Sequence, residues 1–193
     1  KVMYMNSDAI VVLPGGGGVQ SSLFYPPPVE PGAQVVNPRG FRAYVRNDTF
    51  FAAIPRVLEA HPAARFVCVG MAGDPGVQAT VARLGLGERV QLLPGQSRAQ
   101  MAELFRACQV MVSPTTHDGT PNTLLEAMAC GCLPVAGDLE SLREWITPGV
   151  NGLLVDPGNP QALAEAIMQA LDQPDLRARA REINLRLVRD RAE

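Results

Sequence analysis

An alternation constrains this chain more than any other feature. Six short β-rich runs, QVVN, RFVCVG, RVQLLP, CQVMVSP, LPVAG and NGLLVD, follow one another between residues 34 and 156. Segments of helical period lie between and after them: Asp48 to Glu59, Val77 to Leu84, Arg98 to Ala107, Pro121 to Ala129, Leu139 to Ile146 and Pro160 to Leu171. Strands alternating with helices of this length form right-handed βαβ units and a parallel sheet, so the expected class is α/β with helices on both faces. Two boundaries carry their own signals. Ser97 with Gln100 makes a capping box, and Thr120 followed by Pro121 supplies an N-cap and a preset first turn.

The flanks read differently. Residues 1–33 are punctuated by LPGGGG and YPPPVEPG and are expected to form a linker with one short strand, Ile10 to Leu13. The chain opens on an apolar, strand-like run without an initiator Met or leader. It is therefore expected to be a fragment, with residues 1–33 holding the end of a missing N-terminal domain. Residues 34–172 form the expected main domain, and residues 173–193 a basic amphipathic helix that either lies on that domain or reaches toward a partner domain.

Composition excludes several functions. Hydrophobic residues make up 47% of the 193, enough for a sizeable core, yet no apolar run is long enough to span a bilayer. A net charge of -2 without a one-sided basic cluster argues against a nucleic-acid partner. Cys68, Cys108, Cys130 and Cys132 sit in or beside apolar runs, as small buried thiols do, and their spacing does not suit zinc. The expected location is cytoplasmic, with peripheral membrane contact through the missing domain left open. His61 and Trp145 read as structural residues.

In open parallel sheets, ligands sit beyond the carboxyl ends of the strands. There the loop TTHDG runs directly into the helix opened by Thr120 and Pro121. The first amides of that helix, at Asn122, Thr123 and Leu124, have no intrahelical partner and the helix dipole lies behind them, which makes an anion site. Glu126 follows on the same face, one turn deeper. A carboxylate there can accept two charge-assisted hydrogen bonds from a vicinal diol such as a nucleotide ribose. Asp118, before the helix, lies farther along the ligand, and His117 beside it is within reach. Taken alone, the two carboxylates fit equally an exposed helical Glu and a turn-forming Asp. On the opposite wall NPRGFRAYVRND carries Arg39, Arg42 and Arg46, suited to a diphosphate. Lys1 is the only lysine, so an arginine by itself marks little. GGGG lacks the Lys-Ser/Thr of a phosphate loop, and VGMAG, which holds Gly70, lacks the full G-x-G-x-x-G of a dinucleotide site.

DGTPNTLLEAMACG resembles the E-x7-E signature of retaining GT-B glycosyltransferases of the large family 4, often written E-G-F-P-N-x-L-L-E-A-M-A-x-G-x-P-V-V. FVCVGMAGDP is similar to the strand and Gly loop of that family's donor domain. LGLGERVQLLPGQSRAQMAELFRACQVMVSPT is similar to its next two strands, REWITPGVNGLLVDPGNPQALAEAI to its closing segment, and GGVQSSLF to its interdomain stretch. The resemblance covers roughly residues 9–172. It implies a Rossmann-like donor domain, the C-terminal half of a GT-B enzyme that moves a sugar from a nucleoside diphosphate sugar to an acceptor hydroxyl with retention.

By that resemblance Glu126 and Asp118 are the catalytic pair. Glu126 holds the ribose hydroxyls and Asp118 lies near the transferred sugar. Asn122, Thr123 and Leu124 meet sugar and phosphate through their amides, and Pro94, Gly95 and Gln96 meet the base. Gly70, Gly119 and the arginines complete the donor site. The implied partners are the nucleotide sugar and the missing acceptor domain. No cofactor is implied, and without a D-x-D cluster no metal, so guanidinium groups, amides and the helix dipole face the departing diphosphate. The fragment alone is expected to be inactive.

The sequence departs from the family pattern in four places. Asp118 is one methylene shorter than the usual Glu, no lysine accompanies the arginines, CGCLPV has one residue more than G-x-P, and Glu140 and Ser141 stand where Gly-Gly is common. Two rival readings are a nucleotide-sugar epimerase of the same architecture and a non-catalytic module that binds nucleotide sugar.

Overall fold

The six apolar runs between residues 34 and 156 become one sheet. In the computed structural model, which describes residues 2–6, 9–13, 18–119 and 122–192, these strands are β3 (Gln34–Asn37), β4 (Arg65–Val69), β5 (Val90–Leu93), β6 (Val110–Ser113), β7 (Leu133–Gly137) and β8 (Leu153–Val155). All pair in parallel, in the order β5-β4-β3-β6-β7-β8. Ahead of them β1 (Val2–Asn6) and β2 (Ala9–Leu13) pair antiparallel in a ribbon of their own, where one strand was expected.

The helices are α1 (Asn47–Ala60), α2 (Pro75–Arg83), α3 (Arg98–Arg106), α4 (Asn122–Ala129), α5 (Glu140–Arg143), α6 (Pro160–Asp172) and α7 (Pro174–Ala192). Because side chains alternate along a strand, Val35 shares a core with α1, α2, α6 and the start of α7, whereas Val36 shares one with α3, α4, α5 and the end of α7. Helices cover both faces, which is why the strands read as continuous apolar runs. Phe50, fully buried, meets Phe51 and Phe66 edge-on with centroids 5.4 and 6.1 Å away. Truncating such a ring costs about 3–5 kcal/mol. All four cysteines are buried and free, and burial pushes the Cys68 and Cys108 thiols up to about 12, so they serve as small apolar groups.

Winding outward from β3 through β4 and β5, the chain crosses back to β6, beside β3, and continues the other way. The loops after β3 and β6 therefore diverge and leave a crevice at the carboxyl ends, the switch point of a doubly wound sheet.

Local chemistry sets the helix starts, as expected for α3 and beyond expectation for α2 and α6. Ser97 and Gln100 form the capping box on α3, Asp74 caps α2, and Asn159 caps α6 ahead of Pro160. Thr120 and Pro121 lie outside the described residues. α5 is shorter than the expected helix from Leu139 to Ile146. Asn151 explains this, because its Nδ2 donates to the Trp145 carbonyl at 2.9 Å while its Oδ1 accepts from the Thr147 amide at 2.7 Å. One side chain thus takes the backbone groups that another helical turn would use.

Of the two positions open to the last helix, α7 takes the one on the domain. Leu176, Ala180, Asn184 and Val188 form its buried stripe, and Asn184 exchanges hydrogen bonds of 2.8 and 2.9 Å with Asn151. Residues 18–31, expected as linker, are fastened to the same body. Arg106 donates to the Leu23 carbonyl at 2.9 Å, Arg181 to that of Pro27 at 2.7 Å, and Arg177 pairs with Glu30.

Candidate functional site

At the carboxyl end of β3, Asn37 is wholly buried and donates to Asn47 Oδ1 at 3.0 Å; Asn47 in turn donates to the Gly40 carbonyl at 2.8 Å. The Arg39 amide donates to Asn37 Oδ1 at 3.2 Å. Buried amides that are fully partnered rigidify what they touch, so Pro38 to Arg42 is held as a shaped loop. Gly40 and Gly70, with φ of 67° and 72°, bring two loops together where a Cβ on Gly70 would sit 3.3 Å from the Gly40 Cα. Glycine is the residue that tolerates both the angle and the approach.

The loop after β6 is clamped from three sides. Buried Thr115 donates from Oγ1 to the His117 carbonyl at 2.6 Å and accepts from the His117 amide at 3.1 Å. The Thr116 amide donates to the Tyr44 carbonyl at 2.8 Å, and Ser141 Oγ to the Asp118 carbonyl, also at 2.8 Å. Gly137 closes the back of the loop, since a Cβ there would collide with the Thr115 carbonyl oxygen. So held, Asp118 pairs with Arg39 at 3.3 Å across the switch point, the two side chains 10% and 17% exposed.

In α4 the side chains of Leu124, Leu125 and Met128 enter the core, while Glu126 turns toward the crevice, 16% exposed. Arg98 Nη2 lies 3.3 Å from Glu126 Oε1. Burial pushes the Glu126 carboxyl above the usual carboxylate range, and the Arg98 guanidinium partly opposes that rise. Beside Glu126 opens a cleft of about 400 Å³, walled by Arg39, Phe41, Arg42, Gly70, Gly95, Gln96, Met101 and Thr123. That volume suits a small-molecule site. A second cavity, of about 280 Å³, lies between residues 27–31 and α7 at the amino ends of β6 and β7.

Seven of the residues singled out from sequence thus share one cleft wall: Arg39, Arg42, Gly70, Gly95, Gln96, Thr123 and Glu126. Asp118 joins them through Arg39. Pro94 stands just behind, its carbonyl accepting from Gln96 Nε2 at 2.9 Å. Gly119 and Asn122 are exposed at the loop and helix start, whereas the Leu124 side chain is buried, leaving only its backbone for a ligand. Arg46 does not line the cleft. Its guanidinium forks onto Asp48 at 3.0 Å, and that hydrogen bond holds the Asp48 carboxyl below its usual range. His117 packs edge-on against Tyr44, with centroids 6.5 Å apart. Sequence reasoning missed Arg98 as a partner of Glu126, the Asn37–Asn47 brace and the tie from Ser141. Only an Asn at a strand end and another at a helix start hinted at the brace.

A sequence model of the family described as glycosyl transferases group 1 matches residues 31–186. The chain belongs to the group 1 glycosyl transferases. Within this family it is 33% identical over 140 residues to a D-inositol 3-phosphate glycosyltransferase of Segniliparus rotundus, a match covering 69% of this chain and 31% of that protein. The chain therefore spans about a third of the length of the curated relatives it matches. Among solved structures, it is similar to the C-terminal domain of a group 1 glycosyl transferase, LpcC, from Francisella tularensis. The TM-score is 0.78 at 23% identity, with 90% of this chain and 98% of that one covered. It is also similar to HepE of Anabaena in complex with UDP-glucose, with a TM-score of 0.79 at 21% identity over 91% of this chain and 52% of that one. Both confirm the Rossmann-like α/β fold expected from the alternation. No described helix of this group 1 chain is long and apolar enough to cross a membrane.

Proposed function

We propose that this chain is the donor-binding half of a retaining glycosyltransferase that moves a sugar from a nucleoside diphosphate sugar to an acceptor hydroxyl. One observation carries the reading. Two carboxylates at E-x7-E spacing face one switch point, Glu126 on the cleft wall and Asp118 tied to that wall through Arg39, each engaged by an arginine. In this reading Glu126 receives the ribose diol, Arg39 and Arg42 grip the diphosphate, the first amides of α4 meet phosphate and sugar, and Asp118 faces the transferred sugar. Arginine forks with helix-start amides form a preorganised electrostatic device for a departing diphosphate. The named activity of the inositol phosphate relatives and the UDP-glucose held by the HepE neighbour support the same substrate class. The acceptor is met by a second domain, so the chain alone binds donor and does not turn over.

The test is a thermal-shift and calorimetric screen of UDP, GDP and ADP with their sugars against this chain. Binding of at least one nucleoside diphosphate is expected. Binding of none, or robust transfer by the isolated chain, overturns the reading.

A further inference from the structure

Three elements that are distant in sequence converge on Glu126. Phe24, in the segment 18–31, is 1% exposed and packs among Ala102, Phe105 and Met128. Above its ring lies the Arg98 guanidinium, with Cζ 5.3 Å from the centroid. The same guanidinium places Nη2 3.3 Å from Glu126 Oε1. Glu126 Oε2 accepts no hydrogen bond from the described residues, and Glu126 lines the cleft.

An exposed ion pair adds little to stability, and the Arg98 side chain is 56% exposed. Its geometry nevertheless has two anchors. A guanidinium seated over a ring loses rotamer freedom before it meets a carboxylate, so the carboxylate it meets is held in one orientation. We propose that Arg98 is a positioning residue: seated on Phe24, it holds one oxygen of Glu126 and presents the other to the ribose of a bound nucleotide. The inference rests on the ribose role proposed for Glu126. It also makes that role dependent on the segment 18–31, because displacing Phe24 removes the seat under Arg98.

The experiment is calorimetry of UDP against 2′,3′-dideoxyuridine diphosphate, with wild type, Glu126→Ala, Arg98→Gln and Phe24→Leu. Wild type should prefer UDP by about tenfold, the equivalent of one charge-assisted hydrogen bond, and Glu126→Ala should abolish the preference. Arg98→Gln should cut it severalfold while leaving affinity for the dideoxy compound unchanged, which a merely structural role would not do. Phe24→Leu should move it in the same direction. If Phe24→Leu fails to fold, Arg98→Gln decides alone, since that side chain is largely exposed. A full wild-type preference in Arg98→Gln overturns this inference and leaves the ribose role of Glu126 standing. Absence of any preference in wild type overturns both.

Discussion

Arg39 and Asp118, from the loops on either side of the switch point, meet at 3.3 Å and tie those loops together. The guanidinium proposed to grip the diphosphate is thus already partnered by the carboxylate proposed to face the sugar. A fork that holds Asp118 has fewer donors left for phosphate. Asp118→Asn should therefore leave nucleoside diphosphate affinity unchanged or slightly tighter, while lowering turnover by the full-length enzyme. Arg39→Ala should weaken binding by about tenfold to a hundredfold, the equivalent of about 1.5–3 kcal/mol for a hydrogen bond to a charged group. Parallel titrations settle it, and equal losses in the two variants would remove the division of roles.

Glu126→Ala removes the proposed ribose acceptor. Losing the oxygen presented to the ribose removes one charge-assisted hydrogen bond of about 1.5–3 kcal/mol, a loss of nucleotide affinity of about tenfold to a hundredfold. Stability should change by no more than about 1 kcal/mol, because an ion pair to a largely exposed Arg98 contributes little. Calorimetry with the bound nucleotide and a thermal melt of each protein measure both quantities.

The same residue should make stability depend on pH. Burial raises the Glu126 carboxyl above its ordinary value, and Arg98 opposes the rise. Between the unfolded and folded pKa values the native state binds more protons than the unfolded chain, so stability falls as pH rises through that window. Above it the ionised carboxylate carries its whole desolvation cost. Glu126→Gln should therefore melt higher than wild type near neutral pH, and the difference should shrink as pH falls toward about 4.3, the ordinary Glu value. Thermal melts of both proteins across pH check it; a gain independent of pH would contradict burial as the dominant influence.

Gly137 is the backstop of the loop that carries Asp118. A methyl group there meets the Thr115 carbonyl oxygen and lies 2.9 Å from Pro157 Cγ, with little free space on either side. Gly137→Ala should destabilise the fold by about 1–3 kcal/mol, the usual cost of overpacking. Nucleotide binding should also fall, because the loop that positions Asp118 must move. Denaturant unfolding and a titration of the same preparation test the two effects.

Donor binding should survive chelation. Among the described residues no group of three or more His, Cys, Asp and Glu side chains could hold a metal ion. Guanidinium groups and helix-start amides are the proposed partners of the diphosphate. Nucleoside diphosphate affinity measured with and without EDTA should agree within about twofold, and recovery of lost affinity by added Mg or Mn would overturn the proposal.

The sequence alone determined the layered fold, because short, continuous apolar runs alternating with segments of period about 3.6 leave a covered parallel sheet as the consistent solution. It also placed Glu126 one turn behind the start of α4, since spacing on a single helix is local geometry. Gly137 and the capping box of Ser97 and Gln100 were likewise present as letters, but only the capping box follows from neighbours along the chain. What the tertiary structure decided is which charges meet. Arg39, Arg42 and Arg46 are alike in sequence, yet the left-handed backbone at Arg46 and the adjacent Asp48 turn that guanidinium away, while the Asn37–Asn47 brace aims the loop of Arg39 at Asp118. Arg98 reaches Glu126 only because α3 and α4 lie side by side on one face of the sheet. Pairing between side chains depends on distances across the fold, and those are set by packing of the whole chain rather than by any local pattern.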